Sequence, residues 1–271
     1  MKSVNDMCEM IDLSVIILTK NEQMHIARCI ERLSCLAPKQ IFIVDCMSTD
    51  GTQRIAKEMG ATVVEHEWPG NQAAQFNWAI DNLPINFEWI LRLDADEYLS
   101  DGLVLEIRDF IKSPPKGVSL IEMPLSRIWQ GKKIRFGVPK IYIPRMFKYG
   151  LCRYDNREMD EKILPKEGQT IRFINKFVDD NLNDLDWWKE KHRGYAEREA
   201  RQVIRGLVGN KASYYKLPPY FRAVMYWGIR YFLYFGFLDG MAGFKWNWWQ
   251  GLWYRCLVDK RILAMKRKQN I

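Results

Sequence analysis

Asp94, Asp96 and Glu97 stand directly behind the apolar run "WILRL" (89–93). Carboxylate oxygens suit hard divalent cations. Mg²⁺ or Mn²⁺ commonly takes one or two carboxylates and completes its shell with phosphate oxygens and water. An acidic turn closing a strand has the same composition, so the pattern means a metal only if the chain also builds a place for phosphates. Two more polar segments follow apolar runs: Thr19-Lys20-Asn21-Glu22 and "DCMSTDGT" (45–52). The second also fits an ordinary strand-to-helix turn, with Asp50 or Thr52 as the cap.

Those segments need a scaffold that brings them together. "LSVIILT" (13–19), "QIFIVD" (40–45), "ATVVEHE" (61–67) and "EWILRLD" (88–94) read as strands. Between them "MHIARCIERLSCL" (24–36), "TQRIAKEM" (52–59) and "NQAAQFNWAIDNL" (71–83) have helical spacing. Apolar strands alternating with helices predict an α/β fold whose parallel sheet is covered on both faces. Ligands then bind beyond the carboxyl ends of the strands, where all three polar segments converge. Further on, "VSLIEMPL" (118–125) and "KIYIPRMFKY" (140–149) read as strands, with a hairpin-like piece at 128–136 around Gly131. Residues 182–208 are charged and helical, and Pro218-Pro219 opens an aromatic, basic end.

The chain has 271 residues, 48% hydrophobic, with a formal charge of +8 and 11 Trp, 12 Tyr and 13 Phe. That supports a sizeable core and argues against disorder. Basic plus aromatic composition fits nucleic acid, a membrane surface or an anionic substrate. The six cysteines are scattered without a Cys-x-x-Cys pair, as in a reduced, cytoplasmic protein. "MKSVNDMCEM" lacks a signal peptide's apolar core, and no stretch reaches the roughly 18 apolar residues of a membrane span.

"SVIILTKNEQMHIARCIERL", "IFIVDCMSTDGTQRIAKEMGATV", "NQAAQFNWAI" and "WILRLDADEYLS" together resemble the family 2 nucleotide-sugar glycosyltransferases of GT-A fold, over residues 12–165. More loosely, "FVDDNLNDLDWWKEKHRGYAEREA" and "GFLDG…WWQGLWYRCLVD" look like bacterial lipopolysaccharide core β-1,4-glucosyltransferases and transferases of capsule or exopolysaccharide assembly. The resemblance implies a GT-A domain over 1–175, a Rossmann-like, mostly parallel sheet flanked by helices. It leaves 176–271 as a helical, aromatic-basic C-terminal extension. It also implies an inverting transfer from a UDP-sugar, aided by Mn²⁺ or Mg²⁺, to a lipid-linked or oligosaccharide acceptor.

On that resemblance Thr19, Glu22, Asp45, Ser48 and Asp50 line the nucleotide, with Asp45 accepting from the uracil N–H. Gln72, Gln75 and Asn77 border the base and pyrophosphate, Asp94 faces the ribose, and Asp96 holds the metal with Glu97 behind it. Many relatives have a basic residue around 72–75, where this chain has glutamines. The general base falls in "NREMDEKI" (156–163): Glu161 fits best, with Asp160 beside it and Glu158 a further candidate. Arg145 suits an acceptor-loop anchor, a phosphate neutraliser or a structural ion pair.

Two other classes compete. A nucleic-acid binder would stripe its cations along one face, whereas Arg255, Lys260, Arg261, Lys266, Arg267 and Lys268 gather at the end. A pyrophosphorylase would show a Gly-rich basic loop, absent from "ILTKNEQ". The late cations beside "WNWWQGLWY" predict attachment of residues 218–268 to an anionic membrane surface, the inner face of the cytoplasmic membrane, and no nucleic-acid partner. A helical lid or a dimer interface would use the same aromatics.

Overall fold

The computed structural model describes residues 9–155, 163–207, 209 and 212–269. Four strands, β1 (Ile11–Thr19), β2 (Pro38–Asp45), β3 (Thr62–Glu65) and β4 (Trp89–Asp94), run parallel in the order β3-β2-β1-β4. Alternate side chains point to opposite faces, so each run feeds two cores. Val15, Ile17, Ile43, Leu91 and Leu93 pack on one side with α1 (Ile26–Arg32), α2 (Thr52–Glu58) and α4 (Asp101–Lys112). Ile16, Val44 and Ile90 pack on the other with α3 (Gln72–Asn82). Burial on both faces is why these strands read as continuous apolar runs. In the register Thr19 lies opposite Asp45, and Leu18 opposite Asp94. Three strands therefore end at one level, which sets the site.

Beyond β4 the sheet is mixed. β8 (Tyr142–Lys148) pairs antiparallel with β4, and β6 (Val118–Trp129) antiparallel with β8. The order continues through β12 (Phe177–Asp180) to β5 (Glu97–Leu99), and β11 (Gln169–Arg172) lies parallel along β6. β9 (Cys152–Tyr154) and β10 (Ile163–Pro165) form a separate pair. The expected strand 118–125 and the start of the expected hairpin are one long strand, β6, which turns at Gly131 into β7 (Lys132–Ile134). The sheet, flanked by helices, is of the GT-A type that the resemblance implied.

Two compact units result. The first runs to Ser126 and resumes over Lys140–Leu182; the second is Arg127–Pro139 with the chain from Asn183 onward. The division differs from the expected 175/176. Residues 177–180 stay in the first unit because β12 pairs with β5, and the β6–β7 turn belongs with the second.

In the second unit α5 (Leu185–Ile204), capped by Asp184, packs on α9 (Tyr254–Gln269) through Ala196, Ala200, Tyr254, Val258 and Ile262. A smaller core joins Trp129, Ile134, Trp188 and Trp246. Between α5 and α9 lie α6 (Ala212–Tyr215), α7 (Phe221–Gly228) and α8 (Gly240–Trp246), with π-helical turns at Ile229–Leu233 and Asn247–Trp253. Gly243 is required where α8 meets the turn before it, since a Cβ there would run into the Gly236 carbonyl oxygen. Among the late cations expected at a membrane, Arg255 instead pairs with the buried Glu199 at 2.9 Å, and Arg261 with Glu197 at 3.4 Å. No helix among the described residues is long and apolar enough to cross a membrane.

Candidate active site

The carboxyl ends of β1 and β2 are stapled residue by residue. Thr19 Oγ1 donates to Asp45 Oδ2 at 2.7 Å, and Lys20 Nζ donates to the Cys46 and Met47 carbonyls at 2.6 Å. Asn21 exchanges bonds with Ser48 Oγ and Thr49 N, and Glu22 N donates to Thr52 Oγ1 at 2.8 Å. Asn21 and Met47 both take positive φ (56° and 57°), the conformation that folds each loop back onto the other. Asp45 is wholly buried and accepts from four donors: Thr19 Oγ1, Ser48 N, Ser48 Oγ and Gln53 Nε2. That fills a carboxylate's acceptor sites. Beside this loop an open cleft of about 550 Å³ is lined by Ser48, Asp50, Gln53, Arg54, Lys57, Glu58 and Glu65.

At the end of β4 a second network holds the acid cluster. Arg92 and Arg145, both buried, each reach a different oxygen of Asp94 at 3.3 Å. Arg145 also pairs with Glu97, whose other oxygen accepts from Asp94 N at 3.0 Å. Burial disfavours ionisation of Asp94, but the two guanidiniums and their hydrogen bonds outweigh it and hold the carboxyl at about 2. Glu97 is pushed well above the ordinary range by its burial, against the pull of Arg145 and with Asp94 and Asp96 adding to the push.

Asp96 is half-buried at the strand end, where its Oδ2 accepts from Asn181 Nδ2 at 2.8 Å. Asp96 O accepts from Asp180 N, and Arg28 clasps Asp180 through Oδ2 at 2.7 Å. His25 closes the same corner. Its Nε2 accepts from Leu182 N at 2.9 Å, so the ring proton sits on Nδ1 and donates to Glu22 Oε2 at 2.7 Å.

Thr19, Asp45, Ser48, Asp50, Asp94 and Asp96 thus share one edge of the first unit. Other expected positions are engaged by the chain itself. Gln75 is wholly buried, bridging His66 Nδ1 and Cys46 Sγ. Asn77 pairs with both backbone groups of Tyr154, which fixes β9. Gln72 accepts from Arg92 at 3.2 Å. Glu97 lies behind Arg145 and Asp94 rather than behind Asp96, because its strand turns it inward. For Arg145 the ion pair is the observed role.

Glu158, Asp160 and Glu161 lie outside the described residues. Sequence reasoning missed Arg92, Asn181 and His25. Arg92 left a signal, because a cation inside an apolar strand must be paired. Asn181 and His25 left none.

Residues 14–163 match the Glycosyl transferase family 2, and the chain belongs to that family. It is 40% identical over 95 residues to an uncharacterized glycosyltransferase of Rickettsia typhi, a match covering 35% of this chain and 31% of that protein's length. It is also similar to the lipopolysaccharide core biosynthesis glycosyltransferase LpsC of Rhizobium meliloti, at 24% identity over 85% of this chain and 87% of LpsC. Among solved structures it is similar to glucosyl-3-phosphoglycerate synthase from Mycobacterium tuberculosis in complex with Mn²⁺, UDP and glucosyl-3-phosphoglycerate (TM-score 0.36, 18% identity, 42% of this chain and 44% of that one). It is similar as well to S. aureus TarS (TM-score 0.45, 14% identity, 71% of this chain and 40% of that one).

Proposed function

We propose that this glycosyltransferase is an inverting, metal-dependent hexosyltransferase. Its donor is a UDP-hexose, and its acceptor is a lipid-linked or oligosaccharide unit of bacterial surface polysaccharide: lipopolysaccharide, capsule or exopolysaccharide. The observation that carries the reading is Asp96, half-exposed on the edge shared by Thr19, Asp45 and Asp94. Among the described residues no three His, Cys, Asp or Glu side chains gather as a metal site. A carboxylate at a strand end therefore fits an ion that shares its coordination with the donor's diphosphate, as Mg²⁺ and Mn²⁺ prefer. When bound, such an ion neutralises the departing diphosphate as a Lewis acid.

The chain's own residues supply the rest. Asp45 holds the loop that carries Ser48 and Asp50. A uracil N–H reaches its carboxylate only by replacing Gln53 or Ser48, both of which line the adjoining cleft. Asp94, kept ionised by Arg92 and Arg145, accepts from the ribose hydroxyls. At the acceptor, the hydroxyl oxygen bonds to the anomeric carbon as its proton passes to Glu161 or, failing that, Asp160. The bond from the anomeric carbon to the diphosphate oxygen breaks, and its electron pair leaves on UDP. One displacement inverts the centre, so an α-linked donor gives a β-glycoside.

The similarity to LpsC along most of both chains supports a lipopolysaccharide-type acceptor. Such acceptors are borne by the membrane, so the protein works peripherally at the inner face of the cytoplasmic membrane. The test is UDP release from a panel of UDP-hexoses, with thermal shifts by UDP and by oligonucleotides, each with and without Mn²⁺. The reading requires metal-dependent UDP release and stabilisation by UDP. Stabilisation by oligonucleotide alone would replace it with a nucleic-acid-binding role.

A further inference from the structure

The second unit carries an apolar surface that its own packing leaves uncovered. Phe232, Leu233, Phe235, Leu238, Met241 and Trp248 are all exposed, Leu233 at 70% and Met241 at 68%. Scattered apolar residues on a surface need no explanation, but a connected group of this size marks a contact face. Its aromatic members are connected: Tyr231 touches the rings of Phe232, Phe237 and Phe244, Phe237 meets Phe235, and Phe244 stacks on Trp248.

The surface is also pinned in place. Gly137 N donates to the Tyr234 carbonyl at 2.8 Å, and Arg230 Nε donates to the Gly137 carbonyl at 2.8 Å. Asp239 Oδ2 accepts from Arg135 N and Phe136 N at 2.7 and 2.8 Å. Phe235 is held at φ 56°, a left-handed conformation that a bulky residue rarely adopts, with its side chain outward. An unused surface loop has no need of such constraint.

Charge decides what covers the face. Within 231–248 the only charged residues are Asp239, engaged with backbone N–H groups, and the exposed Lys245. The neighbouring β7 segment adds exposed Lys132, Lys133 and Arg135. A second copy of the chain would bring these cations against their own kind. An anionic bilayer takes aromatic and aliphatic side chains at the headgroup boundary and cations at its phosphates.

We propose that this pinned turn, rather than the basic end of α9, docks the protein on an anionic membrane. The proposal deepens the reading of a membrane-borne acceptor and rests on it for its purpose alone. The test is flotation of the full chain with phosphatidylcholine vesicles, with and without phosphatidylglycerol. Wild type should float with the anionic vesicles and be released by high salt. Leu233→Ser with Met241→Ser should lower partitioning by about tenfold or more, and Lys132→Gln with Lys133→Gln by about thirtyfold. Lys266→Gln with Lys268→Gln should change it by no more than about twofold. All variants should still bind UDP in the presence of Mn²⁺. Loss of UDP binding in wild type would sink the donor reading and leave the docking result standing. Docking itself is overturned if the Leu233/Met241 variant floats like wild type. It is equally overturned if light scattering finds a wild-type dimer that this variant dissociates, since the face would then join two copies.

Discussion

Arg145 is the residue on which the acid cluster depends most, and its replacement by methionine has a calculable consequence. The guanidinium and Glu97 are about equally buried, with side chains 5% and 6% exposed. Removing one member of such a pair strands the other and destabilises by about 3–5 kcal/mol. Asp94 contributes little to that loss, because it keeps Arg92 and is 30% exposed. Replacing Glu97 by glutamine as well removes the stranded charge while Oε1 can still accept from Asp94 N. The double variant should then lie only about 1–2 kcal/mol below wild type, and at least about 1 kcal/mol above the single variant.

The single variant's deficit should also depend on pH. Burial already lifts the Glu97 carboxyl above its ordinary value, so the folded chain binds this proton more readily than the unfolded one. Stability from that proton is present at low pH and is lost as pH rises. Lowering the pH toward the ordinary glutamate range should therefore restore part of the loss. Amide hydrogen exchange across β4 and β8 reads the local stability, and the single variant should exchange at least about 100-fold faster there at neutral pH. A single-variant loss below about 1 kcal/mol, or a double variant no better than the single, would refute the pairing argument.

Two further outcomes follow from the same reasoning. Glu161→Gln should lower kcat by about 10²-fold or more with UDP binding retained, as single-turnover kinetics would show; an active Glu161→Gln with a dead Asp160→Asn moves the base one residue earlier. His192, stacked on Trp188, is held at about 4 by its burial, opposed by a hydrogen bond to the Trp188 carbonyl and assisted by Lys191 and Arg127. The unfolded chain binds this proton more readily, so up to about 3 kcal/mol of stability should be lost as pH falls from about 6.5 to about 4; His192→Phe should flatten that part of a Tm–pH curve.

The alternation from β1 to β4 was legible because each strand is buried on both faces and each helix on one. The convergence of Thr19, Asp45 and Asp94 followed from that alternation alone. Boundaries were less legible: the run at 24–36 gives a helix only over Ile26–Arg32, because residues 33–36 leave it in a tight turn. β12 was missed because "FVDD" shows no alternation and owes its strand form to pairing with β5. Contacts such as His25 to Leu182 and Asn181 to Asp96 join residues remote in sequence and leave no local trace. The late aromatics were visible as a group. Which of them the fold buries, as with Trp246 and Tyr254, and which it exposes depends on two π-helical turns that no spacing announced.

If Asp96 carries a divalent ion to the donor's diphosphate, UDP binding must depend on both the ion and that carboxylate. Calorimetric titration of UDP into wild type and Asp96→Asn, with Mn²⁺ present and with Mn²⁺ chelated, separates the two. The substitution sits at a strand end outside the core, so the circular dichroism and melting of the two proteins should coincide. Mn²⁺ should tighten UDP binding to wild type by about 100-fold, or nearly 3 kcal/mol, and leave Asp96→Asn unchanged at the weak, metal-free affinity. An Asp96→Asn protein that gains as much affinity from Mn²⁺ as wild type would remove Asp96 from the metal site.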